Sequence, residues 1–225
     1  MAQGNRVETS ELTVLRPRIS TTLPRQRRSF ITGMGCTFAA LALPSCRRKR
    51  FGPVTGYEGV LAPHSPVQRL IEPAVEGLHH GAELTLFASF SLTALVLSSR
   101  MYRDRDSAVM PLDLALGWGG MSDPSLLQNV EIWQGGRWYY WRHGNVGPLP
   151  DDISGQSANM HMIPASQDIL AVLRDLRPGN VVHFDGMLCD VTTGEGISIR
   201  SSRTRNDTGA GSCEIDYVTK VETLI

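Results

Sequence analysis

Cysteine is scarce in this chain. Only Cys36, Cys46, Cys189 and Cys213 occur among 225 residues, none in a CxxC pair. There is no HExxH motif, and no Cys/His spacing matches a zinc centre, so neither a metal nor a dense disulfide framework organises the fold. Long apolar runs are missing too. The most apolar early stretch, residues 30–43, has 14 residues, short of the roughly 20 that a spanning helix needs. No internal repeat and no cofactor motif is present, and no cofactor and no metal are expected.

Basic charge is outnumbered in the body. Residues 1–50 carry ten Lys/Arg and two Asp/Glu, a net of +8, and residues 51–225 carry twelve and twenty, a net of −8. An acidic body has no stripe with which to neutralise phosphates, which argues against a nucleic-acid partner. The 175 residues after position 50 suffice for one domain with a real core.

The N-terminal charge has a pattern. Arg27-Arg28-Ser29-Phe30-Ile31 precedes the weakly hydrophobic residues 30–43, and Arg47, Arg48, Lys49 and Arg50 follow. A charged n-region, a short apolar segment and small residues at its end make an export signal. The order resembles the twin-arginine signal of bacteria, two arginines followed by any residue, Phe, then Leu or Ile. Two endings fit. Ala40-Leu41-Ala42 is an A-x-A cleavage site for a soluble product, and Leu43-Pro44-Ser45-Cys46 resembles a lipobox in which Cys46 is lipidated. The expected location is the periplasm or cell envelope, with membrane contact only through the signal or the lipid. In an oxidising envelope, Cys189 and Cys213 are expected to form a disulfide.

Three regions follow: a disordered n-region with the export signal over 1–50, a Gly/Pro-rich lead-in over 51–83, and one globular domain over 84–225. Residues 66–78 suggest a short helix or two, broken at Pro73, and His79-His80 a solvated turn at Gly81. Residues 84–101 alternate. Phe87, Ser89, Ser91, Thr93 and Leu95 fall on one parity, Leu86, Ala88, Phe90, Leu92, Ala94 and Val96 on the other, which is the period of a strand. Residues 111–116 read as helical turns stopped by Gly117. Asp123-Pro124 opens a short helix. Residues 131–142 form a hairpin turning at Gly135-Gly136, with Trp133, Trp138, Tyr139, Tyr140 and Trp141 alternating between its faces. Residues 143–163 are irregular. Ser166 caps a helix over 167–176, whose stripe is Ile169, Leu170, Leu173 and Leu176. Strands over 180–188, 196–202 and 213–224 complete a meander. The expected class is α+β and rich in β: a small twisted antiparallel sheet or barrel with two to three short helices, compatible in outline with an oligonucleotide/oligosaccharide-binding (OB)-like barrel.

Candidate chemistry is sparse, and whether the chain is an enzyme stays open. Ser157, Asn159 and His161 share a parity, so Ser157 and His161 form a candidate nucleophile–base pair, oriented by Asp151 or Asp185. Asp207-Thr208-Gly209 resembles the catalytic turn of aspartic proteases, in which two carboxylates share a proton; one copy implies a homodimer. His143, His161 and His183 have no metal-like spacing. The loop from 203 to 214 offers Arg203, Arg205 and Asp207 to a ligand, and Trp138 and Tyr140 on the hairpin offer aromatic faces.

The stretches LALGWGGMSD (114–123), RWYYWR (137–142), NMHMIPA (159–165) and SSRTRNDTGAGSCE (201–214) resemble a group of bacterial envelope proteins over most of residues 84–218. The resemblance implies an envelope location and carries no activity. The expectation is therefore a non-catalytic binding or accessory module for an unknown envelope protein or small ligand. The competing expectation is an envelope hydrolase built on Ser157 and His161 or on Asp207.

Overall fold

The structure is a computed structural model that describes residues 57–143, 147–203 and 213–225. Cys46 and the export signal lie outside the described residues, as do Arg205 and Asp207.

The alternating stretch forms one long strand and carries the sheet. β2 (Ala82–Met101) is 20 residues long. Along one edge it pairs first with β1 (Val67–His79) and then with β3 (Leu112–Gly117). Along the other it pairs with β7 (Val181–Thr192). β3 pairs with β6 (Ser157–Pro164), β6 runs parallel to β9 (Glu214–Thr223), and β9 pairs back to β7. The pairings β2–β3–β6–β9–β7–β2 thus form a closed cycle. β8 (Ser198–Ile199) extends β7. β4 (Val130–Gly135) and β5 (Trp138–His143) make a separate two-stranded sheet. The helices are short: α1 (Pro124–Leu127), and α2 (Gln167–Asp175) between β6 and β7. The class is a strand-rich α+β fold with a mixed sheet. The parallel β6–β9 pair corrects the expected all-antiparallel meander.

The core lies within the cycle. Phe90 and Leu92 of β2, Leu112, Leu114 and Leu116 of β3, Met160 and Met162 of β6, Phe184 and Leu188 of β7 and Val218 of β9 form one buried cluster. Leu170, Leu173 and Leu176 bring the stripe of α2 onto it. Each such side chain contributes about 1.5–3 kcal/mol of transfer free energy. The caps are the expected ones. The Asp123 carboxylate accepts from the Ser125 amide at 2.8 Å, and the Ser166 hydroxyl accepts from the Ile169 amide at 3.3 Å. Among the described residues, no helix is long and apolar enough to cross a membrane.

Several expectations need correction. Residues 67–79 are a strand, not helical turns, and they join the sheet although the sequence placed them in the lead-in. Most of β1 is exposed, so no apolar period marks it, and Pro73 sits where its register with β2 shifts, as proline does on an edge strand. Residues 112–117 are likewise a strand. β3 is buried at every position, and a strand buried on both faces reads as a continuous apolar run. Residues 157–164, expected to be irregular, are β6. The hairpin turns one residue later than expected. Gly135 pairs with Trp138, which leaves Gly136 and Arg137 as the turn, with φ of 59° and 66°. Both values suit a type I′ turn. Cys189 and Cys213 are free thiols and not a disulfide. Cys189 is buried with Leu84, Leu86 and Val191, whereas the Cys213 sulfur lies on the outer face of β6, 4.0 Å from Asn159 Nδ2.

Candidate functional site under the aromatic hairpin

Alternation along β3 and β6 sends Leu112, Leu114, Met160 and Met162 inward. It therefore sends Asp113, Ser157, Asn159 and His161 to the outer face. The inner side of the hairpin covers that face, and a polar layer lies between them. Tyr139 meets Ser157 with its hydroxyl 3.0 Å from Oγ, and Ser157 donates to the Ile153 carbonyl at 2.5 Å. Gln134 Nε2 donates to Asn159 Oδ1 at 2.7 Å. Burial pushes the Tyr139 phenol up to about 12, against a smaller opposing effect of the Ser157 bond.

Arg137 locks the hairpin down. Its Nε and Nη2 donate to the two oxygens of Asp104 at 2.9 and 2.6 Å, a bidentate fork. Its Nη1 donates to Asp113 Oδ1 at 3.1 Å and to the Met110 carbonyl at 2.9 Å. The guanidinium lies 4.1 Å from the centroid of the Tyr102 ring, within cation–π range. A non-glycine residue at φ 66° costs roughly 1–2 kcal/mol, so the turn accepts backbone strain that these contacts offset. The fork also holds the Asp104 carboxyl below the usual range.

Asp113 is wholly buried and serves a second partner: its Oδ1 lies 2.8 Å from His161 Nδ1. Burial by itself would lower the His161 pKa. The hydrogen bonds to Asp113 and Cys213 outweigh it, and the imidazole is pushed up to about 9. Charge is therefore arranged as Asp104–Arg137–Asp113–His161, with the Cys213 thiol beside the last member.

The residues singled out in the sequence separate. Ser157 and His161 do not pair: four residues apart on one strand, they bond Tyr139 and Asp113 respectively, which dismantles the expected nucleophile–base pair. Asp185 lies 3.3 Å from His183 and so does not orient His161. Arg203 is committed, with Nη2 2.5 Å from Asp190 Oδ2 and its guanidinium 3.5 Å from the Phe87 ring centroid. His161 and His183 go to different partners, the latter to Thr93 Oγ1 at 2.9 Å. Among the described residues, no group of three or more His, Cys, Asp or Glu is placed to hold a metal. A cleft of about 200 Å³ opens elsewhere, lined by residues that include His80, Arg105, Val109, Val191 and Glu195.

Trp138 and Tyr140 do share a face. They alternate with the half-buried Tyr139, and their cross-strand partners are Gly135 and Trp133. Trp133 stacks on Tyr140 with centroids 5.5 Å apart and planes at 15°. Glu131 and Arg142 continue the same face as an ion pair at 2.6 Å. The outer side of the hairpin is thus a row of aromatic rings ending in a carboxylate and a guanidinium.

Sequence reasoning missed Asp113, Arg137 and Asp104, and noted Asn159 only for the parity it shares with Ser157 and His161. A signal was present for Asp113: an acid inside the apolar run LDLAL needs a buried partner. Comparison with family models, curated proteins and solved structures finds no match for this chain.

Proposed function

We propose that this chain is exported to the bacterial envelope and that its body is a binding module on an OB-like barrel, with the outer face of the hairpin as its ligand surface. The twin-arginine pattern and the basic flank support export, and Cys46 is a candidate lipid anchor. The cycle of pairings supports the barrel. Taken in chain order, its five strands are arranged 1-2-3-5-4, closing back on 1. The single parallel contact joins the third strand to the fifth, and α2 lies between the third and fourth.

Such barrels take ligands on the face of the second and third strands, but a fold by itself assigns no ligand. Here β3 and β6 form that face, and the hairpin covers it. The aromatic surface on offer is the other side of the hairpin, and the row of Trp133, Tyr140 and Trp138 is the observation that carries the reading. Flat rings take flat apolar faces. An acidic body repels a phosphate chain, so sugar rings fit better than nucleobases, with Glu131 and Arg142 available to hydroxyl groups.

Titrating the domain with soluble saccharide fragments of bacterial cell wall should quench tryptophan emission. Tyr140→Ala should weaken that binding roughly three- to tenfold, the worth of one aromatic contact, without moving the thermal midpoint. Wild type and variant binding equally, or neither binding, would remove the reading. Export is checked separately by intact mass from a bacterial host. A start at Leu43 means a soluble envelope protein, and an acylated start at Cys46 a tethered one. A full-length cytosolic chain would refute export.

A further inference from the structure

The outer face of β6 continues beyond the hairpin to the start of β9. The pairing there is parallel, with Met160 opposite Glu214 and His161 opposite Ile215. Cys213, one residue before β9, therefore comes beside Asn159 on the face that carries His161. Its sulfur lies 4.0 Å from Asn159 Nδ2 and 4.0 Å from the Arg137 carbonyl. The thiol is free and half-buried. His161 Nδ1 is committed to Asp113, which fixes the ring and leaves Nε2 as the nitrogen able to exchange a proton. Asn159 Nδ2 makes only long contacts, 3.3 Å to the Arg137 carbonyl and 3.5 Å to Asp113 Oδ2. It is an amide donor next to the sulfur with little to give up.

From this arrangement we propose that Cys213 is a nucleophile for acyl transfer, with His161 as its acid–base partner, Asp113 as the residue positioning that imidazole, and Asn159 as a donor to the developing oxyanion. The parts are those of a thiol acyl-transfer site: nucleophile, base, orienter and a preorganised N–H donor. The substrate class is an ester or thioester. The proton of the Cys213–His161 pair rests on the imidazole as Sγ attacks the carbonyl carbon and negative charge collects on the carbonyl oxygen beside Asn159. The bond to the leaving oxygen or sulfur breaks, the leaving group takes the proton from His161, and a thioester remains on Cys213. Water then attacks the thioester, giving a proton to His161; the carboxylic acid departs, and Sγ and the protonated imidazole are restored as a pair. No oxidant, reductant or metal enters the balance. This goes beyond the binding reading and makes the chain an enzyme.

The probe is p-nitrophenyl acetate with the full chain, read by p-nitrophenolate release and by peptide mass mapping. Cys213 should gain one acetyl group while Cys189, wholly buried, gains none. Release should exceed that from an equal concentration of N-acetylcysteine at the same pH by at least about tenfold. His161→Gln should lose about a hundredfold, within the range for general acid–base catalysis. Asp113→Asn should also be slow, and Asp113→Glu should recover part of the rate, which a purely structural role would not produce. Absence of acetyl on Cys213, a wild-type rate no higher than that of N-acetylcysteine, or an undiminished rate in folded His161→Gln would each overturn the proposal. If His161→Gln does not fold, the comparison with the free thiol decides. The saccharide has no part in this assay, so its failure and that of the binding reading are distinguishable.

Discussion

Replacing Arg137 with alanine is expected to lower the unfolding free energy by about 3–5 kcal/mol, the usual cost of removing one partner from a buried charge cluster. The side chain is only 17% exposed and serves Asp104, Asp113 and the Met110 carbonyl at once. Truncation leaves the wholly buried Asp113 with His161 as its remaining charged partner and removes the guanidinium from the Tyr102 ring. Arg137→Lys keeps the charge but loses the planar fork, so it should recover only part of the loss. Urea unfolding of the three proteins checks this. A loss under about 0.5 kcal/mol in Arg137→Ala would mean that the hairpin is held by its apolar residues alone. Those are Val130 and Ile132, which pack with Leu127 and Met121.

The second large effect concerns Asp216, which points into the core from β9 and is wholly buried. No well-aligned hydrogen bond reaches either oxygen. Gly186 makes room for the group: a Cβ there would stand 2.4 Å from Asp216 Oδ1. Burial first, then the nearby Glu214 and Asp185 carboxylates, raise its pKa to about 8, with the Met187 amide opposing weakly. A raised carboxyl pKa means that the folded state binds more protons than the unfolded state between about 4 and about 8. Stability therefore falls as pH rises through that window. Near 1.4 kcal/mol per unit, the fall from pH 5 to pH 8.5 is on the order of 4 kcal/mol. His161 adds a loss of the same sign between the ordinary histidine value near 6.5 and about 9, as its favourable protonation disappears. Asp216→Val should remove the acid-side part of the slope and exceed wild type by a few kcal/mol at pH 8.5, with a smaller gain at pH 5. Denaturant melts at both pH values measure it. Parallel wild-type and variant curves would show that Asp216 is not held protonated by the fold.

These two sites show which parts of the structure could be read from the residues. β2 was legible because one face is apolar and the other hydroxylated along its length. The two helices were legible because Asp123-Pro124 and Ser166 are local caps with a chemistry of their own. β3 was not, because Leu112, Leu114 and Leu116 face one cluster and Ala115 another, and burial on both sides erases the period. β1 failed for the opposite reason, since exposure leaves nothing to alternate. The site failed for a third. Asp113 and His161 are 48 residues apart, and Arg137 and Cys213 76. Each of these meetings depends on long-range packing, which no local propensity encodes. His161 was noticed, but with the wrong partner: Ser157 shares its strand and parity but lies too far along β6, while Asp113 sits directly opposite on β3. The aromatic row was legible in kind, because alternation in a hairpin must put Trp138 and Tyr140 on one side.

Hydrogen exchange of the domain, with and without soluble cell-wall saccharide, tests the ligand surface most directly. New protection is expected on β4 and β5, residues 130–143, and at a saccharide concentration near the wild-type Kd Tyr140→Ala should reduce it. Protection instead on β1, or around the cleft lined by His80 and Glu195, would contradict the assignment and move the binding surface away from the hairpin.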